Sequence, residues 1–254
     1  MTNQSKLYAV DAFDYLSERE RKHFWFRERN HLLSECASTW FPNHREYLEV
    51  GCGNGCVLEH FSTAFPDWNL TAIEYFDEGI RHANRRLGTA ANIVKGDARD
   101  LSSFQDLDLI GCFDVLEHIQ DDILVLEQIH QALKPGGGLL ITVPQHRSLW
   151  SARDDYAGHK RRYSRAKLTQ KLSNVGFHVE FASSFIFFLL PLMYASRRIA
   201  PSSASKSRNR EFQLPDWLNE LFATPVKAER ALIRRKISLP AGGSLLIAAR
   251  KPSS

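Results

Sequence analysis

The stretch that most constrains this chain is Tyr47-Leu48-Glu49-Val50-Gly51-Cys52-Gly53-Asn54-Gly55. It reads as a short buried strand, carried by Leu48 and Val50, that ends in a glycine-rich turn. Glycine reaches backbone angles that other residues resist, and it lets a ligand approach the main chain closely. Cys56, Val57, Leu58, His60 and Phe61 then begin a helical pattern. The helix start therefore directs its unpaired N–H groups at whatever the turn holds. Glu49 is the odd residue, because a carboxylate in an apolar strand is costly without a partner. A ring of backbone N–H groups or a ligand cation is its most economical partner. A dinucleotide site wants G-x-G-x-x-G/A at this place. Cys56 stands where the third small residue would be, and the spacing is E-x-G-x-G-x-G.

After the turn the chain alternates. Strands are expected at residues 70–74, 92–97, 107–113 and 139–143, with helices over 80–87 and 121–133 between them. Strands separated by helices of ten to fifteen residues indicate βαβ units and a parallel sheet. The fold class is thus α/β, a doubly wound, seven-stranded, mostly parallel sheet. Ligands of such sheets bind beyond the carboxyl ends of the strands. Gly51, Glu74, Asp97 and Asp114 all fall at those ends. Glu74 is placed to accept both hydroxyls of a ribose. Asp97 can accept from an adenine amino group with Ala98 beside it, although Gly-Asp also marks ordinary turns.

With 254 residues and 43% hydrophobic content, one α/β domain with insertions is expected and disorder is excluded. The four cysteines, Cys36, Cys52, Cys56 and Cys112, follow no framework spacing, which points to free thiols in a reducing compartment. Residues 1–10 lack the apolar core of a signal peptide, and no run reaches the roughly 18 apolar residues of a membrane span. The expected location is cytoplasmic, with room for a peripheral position at the inner face of a membrane. Net charge is +4, but residues 146–236 hold about 18 Lys and Arg against about 7 Asp and Glu. That excess reads either as a solvated basic surface or as a site for an anionic partner.

Two regions lie outside the alternating core. Residues 1–45 read as helices, and His23-Phe24-Trp25-Phe26-Arg27-Glu28-Arg29-Asn30 sets three aromatics among basic side chains. This is either a helix covering the sheet or a lid that closes over a ligand. Residues 184–243 form an insert before the last strand. Its apolar run, residues 185–195 followed by Arg197 and Arg198, fits a buried helix or an interfacial segment with a basic flank. Residues 201–207 read as a flexible loop, and 215–236 as a helical pair broken near Pro225.

The motifs Y-L-E-V-G-C-G-N-G, Glu74, G-D-A at 96–98, F-D-V-L-E-H at 113–118 and L-K-P-G-G at 133–137 come in the order of the class I S-adenosylmethionine (SAM)-dependent methyltransferases. The chain resembles that class over residues 46 to about 177, and residues 244–249 look like its last strand. V-L-E-H and L-K-P-G-G are similar to the ubiquinone-biosynthesis O-methyltransferase type. The H-F-W-F-x-x-R-N opening and G-H-K-R-R-Y at 158–163 resemble bacterial members linked to lipid or polysaccharide assembly. The resemblance implies an N-terminal helical lid (1–45), a SAM-binding domain (46–183 and 244–254) and the helical insert (184–243). It implies that Glu49 faces the ligand ammonium and that Gly51, Cys52 and Gly53 let the methionine part pass. Glu74 would bind ribose, Asp97 and Ala98 adenine, Asp114 the methionine side, and Arg29 the ligand carboxylate. Some ubiquinone-type relatives hold a metal near V-L-E-H, and Asp114, Glu117 and His118 could do so. No metal is expected here.

The function expected is methyl transfer to a small or lipid-linked acceptor, at oxygen. An oxygen acceptor must lose a proton, which suits histidine. His159 is the first candidate and His118 the second. Lys160, Arg161 and Arg162 are expected to make a cationic rim for an anionic acceptor. A SAM-binding scaffold without turnover is one alternative. A nucleic-acid methyltransferase is another, weakened by the lack of an N-P-P-Y-type tetrapeptide after the fourth strand.

Overall fold

The computed structural model describes residues 13–199 and 214–253. The expected polar start (1–10) and the loop at 201–207 lie outside the described residues. After a short helical turn at 13–17, the elements are α1 (Phe24–Trp40), β1 (Glu46–Val50), α2 (Cys56–Ala64), β2 (Asn69–Glu74), α3 (Asp77–Leu87), β3 (Asn92–Lys95) and β4 (Leu107–Phe113). There follow α4 (Asp122–Ala132), β5 (Leu133–Pro144), α5 (Ala152–Tyr156), α6 (Arg165–Val175), β6 (His178–Phe185), α7 (Leu190–Ile199), α8 (Asp216–Arg234) and β7 (Ser244–Arg250). Single 3-10 turns occupy 116–118 and 147–149.

The seven strands form one sheet in the order β3-β2-β1-β4-β5-β7-β6. All neighbours pair in parallel except β7, which runs antiparallel to both β5 and β6. Both faces are covered, as a largely parallel sheet requires. Leu48, Val50, Ile110 and Ile141 point into one core, with α4 and α6 over it. Tyr47, Leu109, Leu140 and Leu246 point into the other, under α1, α2 and α8. The order reverses between β1 and β4, so the carboxyl ends of these two strands open a crevice.

Three sequence expectations shift. β3 ends at Lys95, so Gly96 and Asp97 belong to the loop after it. The apolar run 185–195 is not one helix. Phe185 closes β6, Ile186 takes a left-handed backbone (φ 60°), and α7 begins only at Leu190. Phe187, Leu189 and Met193 pack against the core, whereas Phe188 and Leu192 are exposed. Pro225 does not break its helix, and α8 runs unbroken from Asp216 to Arg234. A mid-helix proline removes one backbone bond, but α8 is clamped to α1 on both sides of it. Asn219 accepts the Phe24 N–H at 2.7 Å and donates to the Lys22 carbonyl at 2.7 Å. Arg230 pairs with Glu28 and, at 2.8 Å, with Glu35.

Candidate active site

The strand β1 leads into a turn in which Gly51, Gly53 and Gly55 all have positive φ (72°, 55° and 74°). Two of these positions also lack room for a side chain. A Cβ at Gly51 would lie 2.6 Å from the Val115 side chain, and one at Gly55 would lie 2.9 Å from Leu87. The Gly51 N–H donates to the Ile73 carbonyl at 2.9 Å, which ties the turn to the end of β2.

Glu74 ends β2 and is buried. The Gly53 N–H donates to its Oε2 and the Phe76 N–H to its Oε1, each at 2.9 Å. Burial raises its carboxyl above the usual range, and these N–H groups oppose the rise. Both oxygens are thus fixed at the rim of the turn, with lone pairs left for a diol. Phe13 lies over this corner: its ring is 3.1 Å from a Cβ built at Gly79 and 3.9 Å from one at Gly53. The segment is tied down by Asn54 donating to the Phe13 carbonyl (3.1 Å), Asp14 with His82 (2.8 Å) and Glu20 with Arg86 (2.9 Å).

Glu49 is buried, and burial pushes its carboxyl up to about 8, with the Arg29 charge opposing. Its partner within the protein is not the ring of backbone N–H groups that the sequence offered as one of two possibilities. It is the Tyr47 hydroxyl, at a long 3.5 Å. Arg29 comes from α1 and meets Asp114, beyond the end of β4, at 2.7 Å. Its guanidinium also stacks over Trp25 at 4.6 Å. Asp114 holds a positive φ of 56°, strained for a non-glycine residue. Opposite charges thus meet at the carboxyl end of β4, beside the glycine turn. The Arg29 Nε is buried without a hydrogen-bond partner, a donor that a ligand carboxylate would satisfy.

Cys52 and Ala98 are buried, and burial drives the Cys52 thiol up. Asp97 is engaged by Arg99, whose backbone N–H and Nε both donate to Oδ1 at 2.9 Å. That contact holds its carboxyl below the usual range. Ala98 lines the same loop, so the residues read as adenine contacts lie beside Glu74, at the ends of adjacent strands β2 and β3.

The G-H-K-R-R-Y loop lies over the same edge. Tyr163 bridges to Gln145, just past β5, and the Lys160 N–H donates to the Glu117 carbonyl at 2.6 Å. His159 therefore sits beside the turn after β4, its ring 4.8 Å from that of His118. Its Nδ1 lies 2.9 Å from Asp154 Oδ1. A carboxylate only accepts, so the Nδ1 proton is donated and Nε2 is left as the basic nitrogen. Asp154, on α5, is almost fully buried and also takes Arg162 Nε at 2.6 Å and the Ser151 N–H at 2.9 Å. Burial opposes its ionisation, but the His159 and Arg162 hydrogen bonds outweigh this and hold it well below the usual carboxylate range.

The cationic rim expected at 160–162 is not formed. Arg162 is spent on Asp154, and Arg161 pairs with Asp122 at 2.9 Å and donates to the Gln120 carbonyl at 2.8 Å. Of these three, only Lys160 is exposed with no side-chain partner among the described residues. Buried carboxylates claim the arginines because an unpaired buried charge is too costly. Sequence reasoning missed Asp154 altogether. Its signal was the S-x-x-D spacing of Ser151 and Asp154, a capping pair five residues before His159.

Glu117, His118 and His159 offer one potential ligand atom each within 4.8 Å of one another. Asp114, taken up by Arg29, is not in this group. Burial raises the Glu117 carboxyl strongly and lowers the His118 imidazole to about 4.

A family profile described as a methyltransferase domain matches residues 16–180. The chain belongs to that family, whose class is SAM-dependent. It is 26% identical over 166 residues to a Mycolicibacterium smegmatis protein named as a SAM-dependent methyltransferase, covering 63% of this chain and 61% of that one. It is 28% identical over 149 residues to the ubiquinone biosynthesis O-methyltransferase of Pseudomonas aeruginosa, covering 52% and 61%. The chain thus spans about three fifths of the length of these curated relatives. Among solved structures, an O-methyltransferase family protein from Burkholderia thailandensis superposes with a TM-score of 0.64 at 13% identity, covering 96% of this chain and 60% of that one. Phosphoethanolamine N-methyltransferase 2 of Haemonchus contortus, solved with SAM, gives 0.58 at 17% identity, covering 88% and 52%. These likenesses show the fold.

Proposed function

We propose that this methyltransferase-family protein transfers a methyl group from SAM to an oxygen of a small or lipid-linked acceptor, with His159 taking the acceptor proton. SAM supplies a methyl group activated on a sulfonium. Glu74 receives the ribose, Asp97 and Ala98 the adenine, and Gly51, Cys52 and Gly53 line the passage of the methionine part. Arg29 takes the carboxylate, while Glu49 and Asp114 face the ammonium. Residues 1–45, with Phe13 and the Trp25–Arg29 stack, act as the lid that excludes water. The protein's own contribution is orientation of the reacting atoms and a placed base.

The observation that carries this reading is the Asp154–His159 contact of 2.9 Å on the edge that also holds Glu74 and Asp114. It fixes the tautomer that leaves Nε2 as the accepting atom. The ubiquinone biosynthesis O-methyltransferase among the relatives supports oxygen as the target. The insert supports a lipid-linked acceptor, with a peripheral membrane contact through 185–198 centred on Phe188 and Leu192.

The test is S-adenosylhomocysteine release with a hydroxyl acceptor from a membrane extract. His159→Ala should lower kcat by roughly 10²–10⁴ and leave SAM affinity nearly unchanged. Reduced SAM affinity with unchanged turnover would make His159 a cofactor-side residue. No product with any extract would favour a SAM-binding protein without turnover.

A further inference from the structure

Helix α8 carries large apolar side chains outward as well as inward. Inward, Ala223, Val226 and Ile233 pack into the core beside α1. Outward, positions 217, 221, 224, 228 and 231 fall on one face at helical spacing. They are Trp217, Leu221, Thr224, Ala228 and Ala231. Trp217 is 70% exposed and Leu221 56% exposed. An outward stripe without one charge therefore runs over about 21 Å of helix. A helix with an apolar inner face ordinarily turns a charged or polar face to water.

Among the described residues Trp217 is the only exposed tryptophan. It stands at the first turn, while the other end of the helix is cationic. Arg234, Arg235 and Lys236 are exposed and pair with no acid among the described residues. Arg235 lies just past the helix end, in line with the stripe, and Ile237 near it is also exposed. Of the acids on the helix, Glu229 is buried and Glu220 is taken up by Arg27 at 2.7 Å and Lys227 at 3.5 Å. An exposed aromatic, an uncharged stripe and unpaired cations together match a surface that is apolar within and anionic at its boundary.

We infer that the outer face of α8 is a docking surface for an anionic lipid bilayer, with Trp217 and Leu221 entering the headgroup boundary and Arg234, Arg235 and Lys236 meeting lipid phosphates. The inference rests on the reading that the protein works at a lipid surface, and adds a second element to the contact through 185–198. Two contacts on one rigid domain would hold the site in a defined orientation towards a lipid-linked acceptor.

The experiment is co-sedimentation of the full chain with phosphatidylcholine vesicles, with and without phosphatidylglycerol. The wild type should bind the anionic vesicles, be released by salt and show a blue shift of tryptophan emission. The Trp217→Ser/Leu221→Ser variant should keep the wild-type circular dichroism and melting temperature, yet lose at least about tenfold in vesicle affinity. Arg234→Gln/Arg235→Gln, which leaves the stripe intact, should weaken binding to anionic vesicles alone. Phe188→Ser/Leu192→Ser separates the two elements. If only that variant loses binding, the lipid reading stands and the α8 inference falls. If only the Trp217/Leu221 variant loses it, α8 is the contact and 185–198 is not. A wild type that ignores all vesicles overturns both. A concentration-dependent dimer abolished by Trp217→Ser would assign the face to a second copy instead.

Discussion

Glu74 and Asp154 are both buried carboxylates on the same edge of the sheet, and they are held in opposite ways. At Glu74 the donors are main-chain N–H groups of Gly53 and Phe76, fixed by the turn and the strand end themselves. At Asp154 the strongest partners are the side chains of His159 and Arg162, from a loop that must first be brought over β4 and β5. In the proposed site the cofactor half is thus a property of the backbone, and the acceptor half a property of paired charges. Backbone cradles tolerate side-chain changes around them, whereas charge networks fail when one member is removed.

The largest effect expected from this contrast is on stability. Asp154→Ala leaves Arg162 buried without its carboxylate, and should cost about 3–5 kcal/mol, read as a lower denaturant midpoint. A cost below about 1 kcal/mol would mean that the acceptor half is not organised by this pair.

A smaller effect separates the halves by pH. The folded Glu49 carboxyl lies at about 8 against an ordinary 4.5. The native chain therefore holds this proton between those values while the unfolded chain has lost it. The contribution of Glu49 to stability is full below about 4.5 and declines as pH rises towards 8. In the proposed complex the ligand ammonium favours the ionised form. SAM affinity should then rise with pH up to about 8, and Glu49→Gln should flatten the profile. A wild-type affinity that is constant from pH 6 to 8.5, on the order of the window in question, would remove Glu49 from contact with the ammonium.

The smallest expected effect is none. With a histidine base, chelation by EDTA should leave turnover unchanged. Loss on chelation with recovery on adding magnesium or manganese would transfer the role to Glu117, His118 and His159 as a metal-binding group.

The two halves also differ in how far the sequence discloses them. The strand-turn-helix at residues 47–61, the acid ending β2 and the last strand at 244–249 were legible because each is local: a glycine spacing, an acid at a strand end, an apolar run. The antiparallel direction of that last strand was not. The Arg29–Asp114 pair joins residues 85 positions apart, and no local pattern encodes it. The arginines of G-H-K-R-R-Y read as a free cationic rim because their carboxylates, Asp122 and Asp154, belong to other elements. Pro225 read as a break because the clamps to α1 at Asn219 and Arg230 reach across about 195 residues of chain. The apolar run at 185–195 carried two signals at once, and the structure divides it between buried Phe185 and exposed Phe188.

The central claim is that the turn at Gly51–Gly55 and Glu74 form a SAM site rather than a dinucleotide site. Calorimetry with SAM, S-adenosylhomocysteine and NAD tests it most directly, on the wild type and on Glu74→Ala. One SAM or S-adenosylhomocysteine should bind per chain, and NAD should not bind. Glu74→Ala should lose about 1–3 kcal/mol of SAM affinity, from ribose hydroxyls left without their acceptor. Tight NAD binding with no heat from SAM, or a Glu74→Ala affinity equal to that of the wild type, would contradict it.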